Sequence, residues 1–320
     1  MIRIGLVDLD TSHPAFFTNL LHRSPDMRVT AIYDGGAVQS PEYIAQFARE
    51  HGIPKICSSL DELVAQVDGG MVLSQNWDVH LERARPFLLA GKPVFIDKPM
   101  VGRLSDLNAL LALAQQTSTP VMGGSTMRFA AELGALRDKV ADLGGVVSAF
   151  ASGPGDLLNF GAHVVEMITA FFGAQITTVS HIGGNPSHLF RLDQRDGPPI
   201  ILQLSGGQNG PGNGCVLVLT TQRSVEVIHP QGAWQMTDAT LQALSRFFRE
   251  GIAPVPLAAS LQVVQICLAA AQSRHHGVPV AMSDIHPNAG FDGAAYTRDY
   301  AKLGAWQHDG LSARSHYIKS

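Results

Sequence analysis

Short β-branched segments alternate with longer segments of helical periodicity through the first 125 residues. The segments with the β-branched pattern are residues 2–7, 28–33, 70–74, 93–96 and 120–122. Neighbouring parallel strands need a crossover connection, so this alternation predicts a parallel sheet with helices on both faces. Ligands of such sheets bind beyond the carboxyl ends of the strands. The expected binding loops are residues 8–13, 34–36, 74–76 and 97–99.

A different pattern begins after residue 125. A candidate strand at 146–151 is followed by a helical segment at 162–172. Five further strand patterns then follow one another, at residues 176–181, 189–192, 200–204, 215–220 and 224–228. Turn-forming residues at 195–198 and 206–212 join them, which predicts an antiparallel meander. A long helical pattern at 257–275 is expected to pack against this sheet.

The sequence therefore predicts an α/β protein with two kinds of sheet. Residues 1–125 are expected to form a Rossmann-like doubly wound parallel sheet, residues 126–283 a C-terminal α+β domain with a mostly antiparallel sheet, and residues 284–320 a tail. The strand patterns at 200–204 and 215–220 are nearly apolar on both faces, which is more than one covering helix requires. A homo-oligomer formed through this second sheet is the expected assembly.

Charge and composition exclude two classes of partner. The formal net charge of −4 and the scattered Lys and Arg residues provide no basic surface for a nucleic acid. No segment approaches the roughly 20 consecutive apolar residues that cross a bilayer.

The three cysteines, Cys57, Cys215 and Cys267, are far apart and form no CxxC pair, so a disulfide scaffold or zinc ribbon is not expected. A reducing cytoplasm is the expected location.

The turn after the first predicted strand has the position, but not the residues, of a dinucleotide-binding loop. Asp8, Asp10 and His13 stand where G-x-G-x-x-G would place its three glycines. In one interpretation Asp10 caps the next helix and fills the anion site itself. In the favoured interpretation Asp10 points away, and Thr11 and Ser12 donate to the pyrophosphate of a cofactor. Residues 10–13 are thus predicted to contact the cofactor.

Asp34 ends the second predicted strand, about 20 residues beyond that turn. An acid at this place can accept hydrogen bonds from the ribose hydroxyls of NAD, and it repels the 2′-phosphate of NADP. Gly35 and Gly36 follow it and provide no compensating cation. The sequence therefore predicts NAD rather than NADP, although an aspartate that merely ends a strand before a glycine turn explains the segment equally well.

Lys98 follows a buried strand in the segment Gly91-Lys92-Pro93-Val94-Phe95-Ile96-Asp97-Lys98-Pro99. A lysine just past such a strand lies at the edge of the sheet where ligands bind. When it is desolvated, it can take part in proton transfer. The alternative is a surface lysine before a proline turn.

The segment around Lys98 resembles the family of glucose–fructose oxidoreductase, inositol 2-dehydrogenase and MocA-like proteins. In that family a helix ending in A-G-K-x-V leads through a strand to an E-K-P motif with the active-site lysine, and this chain has Asp97-Lys98-Pro99. Ser74-Gln75-Asn76 with His80 resembles the family's T-P-N-x-x-x-H segment under the nicotinamide ribose. The resemblance implies cofactor contacts by Ser74, Asn76, His80 and Asp97.

Two later segments also resemble motifs of this family. Met127-Arg128-Phe129 is similar to its Y-R-F entry into the second domain, and residues 159–166 are similar to its D-x-G-x-H-x-x-D signature. The resemblance implies that His163 hydrogen-bonds the reacting hydroxyl and that Glu166 takes the position of the closing acid. Asp156, Asn159, Glu166 and Arg128 are the expected substrate-binding residues.

These residues together predict an NAD-dependent oxidoreductase that transfers a hydride from a secondary alcohol of a sugar, cyclitol or related polyol. Lys98 and His163 would handle the hydroxyl proton, and the sequence leaves open which of them is the base. Two alternatives remain. One is a metal-dependent lyase or isomerase that uses Asp8, Asp10 and His13 as ligands. The other is a cofactor-free binding or structural protein on the same scaffold.

Overall fold

The computed structural model describes residues 1–184, 187–205, 214–230 and 238–302 of the chain. The predicted turn at 206–212 and the end of the predicted tail, beyond residue 302, lie outside the described residues. Among the described residues, no helix is both long enough and apolar enough to span a bilayer.

The first sheet has six parallel strands, which confirms the predicted Rossmann-like architecture. Its spatial order is β3-β2-β1-β4-β5-β6, and the reversal next to β1 is the switch point at which such sheets bind ligands. The strands are β1 Ile2–Val7, β2 Met27–Tyr33, β3 Lys55–Ile56, β4 Gly69–Val72, β5 Val94–Ile96 and β6 Val121–Gly123. The two-residue strand β3 was not predicted, because both of its residues are exposed and carry no apolar pattern.

Five helices connect these strands, and local chemistry explains where two of them start. The helices are α1 His13–Leu21, α2 Pro41–Glu50, α3 Leu60–Gln66, α4 His80–Leu89 and α5 Leu104–Thr117. Ser40 accepts a hydrogen bond from the Tyr43 amide at 3.3 Å, and Ser59 accepts one from the Glu62 amide at 3.1 Å. Both are N-cap bonds that satisfy otherwise unpaired helix amides.

The second sheet has seven strands in the order β12-β11-β7-β10-β9-β8-β13. They are β7 Val146–Gly153, β8 Ile176–Gly183, β9 His188–Gln194, β10 Ile200–Leu204, β11 Val216–Thr221, β12 Val225–Ile228 and β13 Val280–Ala281. The sheet is mostly antiparallel, as predicted, but β10 and β11 are not neighbours. Strand β7 lies between them and pairs with β10 in parallel, so the simple meander was wrong at this point.

Some helices of the second half pack on this sheet, and others pack against the first sheet and its loops. They are α6 Ala131–Val140, α7 Gly161–Phe172, α8 Asp238–Glu250, α9 Leu257–His276 and α10 Gly293–Lys302. Helix α8 buries Leu244, Phe247 and Phe248 in the same apolar cluster as the first sheet. Helix α10 packs on the 3₁₀ turn Trp77–Val79, which follows β4. Helices α8 and α10, which both lie beyond residue 125, therefore pack against the first sheet and its loops.

Candidate active site

Asp8 joins the ends of three strands at the switch point. Its backbone is left-handed, with φ 63°, and its carboxylate is buried. One carboxylate oxygen accepts from the Gly35 amide at 2.7 Å, and the other accepts from the Ser74 hydroxyl and from Arg83 Nε. Aspartate tolerates the left-handed conformation better than most residues. Asp8 therefore takes the position of the first glycine of the loop, and its hydrogen bonds connect the ends of β1, β2 and β4.

Asp10 is buried in the same turn, and only one of its carboxylate oxygens is bonded. Its Oδ2 accepts from the Gln75 amide at 2.7 Å, whereas its Oδ1 is buried without a partner among the described residues. Burial, and then the neighbouring Asp8 carboxylate, raises the pKa of Asp10 to about 8. Asp10 is therefore mostly protonated at neutral pH.

The interpretation in which Asp10 caps helix α1 is wrong. The N-cap residue of α1 is Ser12, whose own side chain makes no capping bond. The Asp10 carboxyl is directed instead to the loop after β4, because the Gln75 amide is its donor. The Asp10 carboxyl consequently does not fill the start of α1.

The loop before α1 is suited to a cofactor's pyrophosphate even without glycines. The Thr11 hydroxyl accepts from the His13 amide at 3.1 Å, whereas no hydrogen bond within the described residues engages the amides of Thr11 and Ser12. Unpaired amides at the N-terminus of a helix favour an anion. Because Asp10 is neutral when protonated, it does not repel that anion. The residues present therefore fit the phosphates of a dinucleotide.

Asp34 lies at the end of β2, as predicted, with both carboxylate oxygens aimed at neighbouring amides. Oδ2 accepts from Leu9 at 2.8 Å and Oδ1 accepts from Gly36 at 2.7 Å. A carboxylate oxygen has two acceptor sites, so each can still accept a ribose hydroxyl. Burial is the main influence on Asp34 and raises its pKa above the usual range.

A cation that the sequence did not reveal lies near Asp34. The Arg83 guanidinium lies against Gly35, over the Tyr33 ring at 5.3 Å from its centroid. It also lowers the pKa of Asp34 in opposition to burial. Arg83 comes from α4, and the spacing of residues along the chain gave no signal for its approach.

His80 connects the loops after β4 and β5 from a fully buried position. Its Nε2 lies 2.8 Å from the Ser74 carbonyl oxygen, and its Nδ1 lies 3.0 Å from that of Met100. Asn76 accepts from the Asp78 amide at 3.0 Å and so caps the 3₁₀ turn after β4. Ser74 donates to Asp8. These three predicted cofactor residues stabilise the shape of the loop, and their contact with a cofactor stays a prediction.

His13 and Asp97, predicted separately, form a pair between the first and fifth strands. His13 Nδ1 lies 2.5 Å from Asp97 Oδ2, and the Asp97 side chain is buried. Burial is the largest influence and raises the pKa of Asp97, but His13 and Lys98 outweigh it and bring that pKa below its usual value. Asp97 is therefore an ionised carboxylate next to Lys98.

Lys98 contacts Asn159 across the two halves of the chain. Its Nζ lies 2.7 Å from Asn159 Oδ1 and 3.4 Å from the Asn159 carbonyl oxygen. The loop that carries Asn159 is held by Asp156, whose Oδ1 accepts from the amides of Leu158 at 3.0 Å and Asn159 at 2.6 Å. Burial raises the pKa of Asp156, and Lys98 opposes that rise. The structure thus brings three predicted site residues together.

His163 lies one turn into α7 and is oriented by a residue that the sequence did not reveal. Ser125 Oγ lies 2.6 Å from His163 Nδ1, and the same hydroxyl accepts from the Met127 amide at 3.1 Å. Both side chains are buried. Ser125 lies two residues after the end of β6, at the carboxyl edge of the first sheet, and this position is the signal that could have identified it.

Glu166 and Arg128 form a buried ion pair beneath His163. Their side chains are 1% and 8% exposed, so little of either can reach a substrate. Burial raises the pKa of Glu166, against the effect of Arg128. The geometry favours a supporting role for the pair, and direct substrate binding by it stays a prediction.

Tyr296 of α10 is a third residue that the sequence analysis missed, after Arg83 and Ser125. Its hydroxyl accepts a hydrogen bond from Asn159 Nδ2 at 2.6 Å. Its ring packs on Trp77, with 4.9 Å between the ring centroids. An aromatic residue in a polar helical segment was the available signal, but the contact joins residues 137 positions apart.

The three ligands of the metal-dependent alternative have different partners. Asp8 is bonded to Gly35 and Ser74, Asp10 to Gln75, and His13 to Asp97. In the part of the chain that the structure describes, no group of three His, Cys, Asp or Glu residues has the arrangement of a metal site. The turn therefore does not converge on one ion.

A family model agrees with the geometry of the first sheet. Residues 2–125 match the Gfo/Idh/MocA model, which is described as an oxidoreductase family with an NAD-binding Rossmann fold. Residues 2–125, which form the first sheet and its helices, are therefore similar to this family. The resemblance predicted from the motifs around Lys98 is thereby confirmed.

Curated proteins similar to this chain include dehydrogenases and a reductase. Trans-1,2-dihydrobenzene-1,2-diol dehydrogenase of Bos taurus is 26% identical over 260 residues, which cover 74% of this chain and 73% of that protein. 1,5-Anhydro-D-fructose reductase of Ensifer adhaerens is 32% identical over 104 residues, 32% of this chain and 31% of that enzyme.

Solved structures share the fold over nearly the whole chain. Scyllo-inositol dehydrogenase from Lactobacillus casei, with bound NAD(H) and scyllo-inositol, has a TM-score of 0.75 at 17% identity. The match covers 88% of this chain and 99% of that one. A probable dehydrogenase from Thermotoga maritima has a TM-score of 0.76 at 16% identity, with coverage of 89% and 100%. At such identities the likeness establishes the two-sheet fold.

Proposed function

We propose that this protein is an NAD-dependent dehydrogenase that acts on a secondary alcohol of a polyol, sugar or cyclitol. The observation that carries the proposal is the contact between Lys98 and Asn159, four residues before His163. It brings the two predicted proton-handling residues to the same edge of the first sheet. The relatives named above, which act on a diol, an anhydrosugar or an inositol, support the substrate class.

The cofactor would lie along the loops after β1, β2 and β4. The amides of Thr11 and Ser12 would hold the pyrophosphate, and Asp34 would accept hydrogen bonds from the adenosine ribose. The carboxylate of Asp34 favours NAD over NADP. When bound, the nicotinamide supplies the acceptor for the hydride that leaves the carbinol carbon.

The protein's own residues would handle the proton that leaves the hydroxyl. Because Ser125 engages His163 at Nδ1, Nε2 is the ring atom that would act as general base. Lys98 lies beside the Asp97 carboxylate and donates to Asn159. As an ammonium it would stabilise the alkoxide character that develops on the substrate oxygen. Oxidation then yields a ketone and moves one proton to His163.

Two measurements on the purified chain test this function. Titration of the intrinsic fluorescence with NADH tests cofactor binding without any substrate. A panel of polyols, inositols and vicinal diols is then assayed for NAD reduction at 340 nm, a wavelength set by the nicotinamide. Saturable NADH binding with no turnover on any alcohol would contradict the dehydrogenase, and no NADH binding would favour the cofactor-free alternative.

A further inference from the structure

Tyr296 and Asn159 form the outer part of a hydrogen-bonded row that ends on Lys98. Lys98 Nζ lies 2.7 Å from Asn159 Oδ1, and Asn159 Nδ2 lies 2.6 Å from the Tyr296 hydroxyl oxygen. The three residues come from the loop after β5, the loop before α7 and helix α10. We propose that Tyr296 is a positioning residue for Lys98 and acts through the side-chain amide of Asn159.

The chemistry of the three groups fixes the direction of the row. An ammonium has donors only, so the amide of Asn159 must turn its oxygen toward Lys98. The amide NH₂ then points the other way and needs an acceptor, which is the Tyr296 hydroxyl oxygen. Without that acceptor, a turned amide would place its NH₂ against the ammonium of Lys98. Tyr296 therefore selects the one amide orientation in which Asn159 can hold Lys98.

Tyr296 is itself held firmly on the first sheet. The Asp78 carboxylate accepts from the amides of Gly293 at 3.0 Å and Ala294 at 3.2 Å, at the start of α10. The Tyr296 ring packs on Trp77, whose Nε1 donates to the Phe291 carbonyl oxygen at 3.2 Å. These contacts involve the turn after β4. Helix α10 therefore packs on the loop where the nicotinamide end of the cofactor is expected.

The close approach at Gly293 shows how tightly this helix is seated. A Cβ added at Gly293 would lie 2.5 Å from Asn76 Oδ1 and 2.8 Å from the Trp77 ring. Such distances are too short for any side chain. A glycine is therefore needed where α10 begins, and it allows Tyr296 to reach Asn159 three residues further along the helix.

The test combines a conservative change at Tyr296 with a second one at Asn159, and it rests on the proposed function. Tyr296→Phe keeps the ring on Trp77 and removes only the hydroxyl. We expect kcat to fall about three- to tenfold, the range of one hydrogen bond, with unchanged affinity for NADH. Asn159→Asp changes the amide to a carboxylate, in which both oxygens accept. When Tyr296→Phe is added to the Asn159→Asp variant, we expect kcat to differ less than twofold from that of Asn159→Asp alone.

Two further results decide between positioning and mere support of the fold. Tyr43→Phe, which removes a phenol hydroxyl from α2, is the matched control and is expected to leave kcat unchanged. An equal loss from Tyr296→Phe in both backgrounds would overturn the proposal, because a structural defect does not depend on the charge at residue 159. No effect of Tyr296→Phe in the wild-type background would overturn it as well.

A measurement without turnover keeps this inference separate from the proposed function. Competitive labelling with acetic anhydride, followed by peptide mass spectrometry, gives the reactivity of Lys98 relative to the exposed Lys139. We expect Tyr296→Phe to raise that ratio about threefold, because one hydrogen bond no longer holds Asn159 in place. An unchanged ratio would overturn the inference even if the wild type oxidises no alcohol.

Discussion

Lys98 and Asn159 are 61 residues apart in the chain, and their side chains meet at 2.7 Å. Lys98 follows the fifth strand of the parallel sheet, whereas Asn159 precedes the helix that carries His163. One hydrogen bond thus links the cofactor-binding edge of the first sheet to the predicted substrate side. The Asp97 carboxylate lies next to Lys98, and although burial raises the pKa of that carboxylate, the charges of His13 and Lys98 hold it below its usual value.

Removal of either proton-handling group should reduce turnover far more than it reduces stability. We expect Lys98→Ala and His163→Ala each to lower kcat about 100-fold or more, because each removes a group that is proposed to contact the reacting hydroxyl. The exposed residues Lys139 and His275 provide matched controls, and Lys139→Ala and His275→Ala should leave kcat within about twofold. Full activity in both site variants would contradict the assignment. Steady-state kinetics with any alcohol that the wild type oxidises is the measurement.

Ser125 should influence the base without contacting the substrate. Ser125→Ala removes the partner of His163 Nδ1, so the ring loses one fixed orientation. We expect kcat to fall about tenfold and the pH profile to shift, whereas NADH affinity stays constant. Ser125→Thr retains a hydroxyl and should restore most of the activity. A loss of the same size in both variants would show that packing, rather than the hydrogen bond, is responsible.

The parallel sheet was predictable because its signal is local. Each strand of this sheet except β3 contains a short apolar run, and the connections contain helix signals such as the caps at Ser40 and Ser59. The pairing of β10 with β7 was not predictable in the same way. Turn residues indicate hairpins between neighbours, but the insertion of β7 between β10 and β11 depends on contacts between distant segments.

The candidate site likewise contains residues that short motifs indicate and residues whose placement depends on contacts between distant segments. Lys98 and His163 lie in short motifs, so the sequence identified them. Ser125, Arg83 and Tyr296 act through contacts with residues that are 38, 75 and 137 positions away. No spacing rule connects such pairs. The protonated state of Asp10 was also hidden, because it depends on burial and on Asp8 rather than on residue type.

Discrimination between NAD and NADP should depend on the balance between Asp34 and Arg83. Asp34→Ala removes the charge that repels a 2′-phosphate and leaves the Arg83 guanidinium beside Gly35. We expect NADPH affinity to rise about tenfold and NADH affinity to fall. Arg83→Gln in the same background should cancel the gain for NADPH. Calorimetric titration with both cofactors is the measurement, and tighter binding of NADPH than of NADH by the wild type would contradict the preference.

The outer face of the second sheet should form the interface between subunits. Val227, Val218, Phe150 and Ile201 lie side by side across four strands, and Val227 is 57% exposed. Light scattering at micromolar concentration should give a mass above the 34.2 kDa of one chain. Val227→Lys should shift the protein toward the monomer, because it places a charge in an apolar contact. Val278→Lys is the control, at a valine of similar exposure outside this row. A monomeric wild type would contradict the interface.

The buried acid of the first loop should make stability and cofactor binding depend on pH. The pKa of Asp10 is about 8 in the folded chain and ordinarily 3.8, so the folded state binds one proton more than the unfolded state between these values. Stability contributed by this proton is fully present below the lower value and is lost as the pH rises toward the upper one. Asn cannot ionise, so Asp10→Asn should gain in thermal midpoint relative to wild type from about pH 5 to about pH 8 and no further above it.

The same ionisation places a negative charge beside the predicted pyrophosphate site. NADH affinity of the wild type should therefore decrease above about pH 8, whereas that of Asp10→Asn should stay nearly constant. Asp138→Asn, on the exposed face of α6, is the control and should follow the wild type in both measurements. Differential scanning fluorimetry and NADH titrations across this range measure the two effects. Parallel pH curves for wild type and Asp10→Asn would mean that Asp10 is already ionised in the folded chain, and the loop would then repel the phosphates that it is proposed to bind.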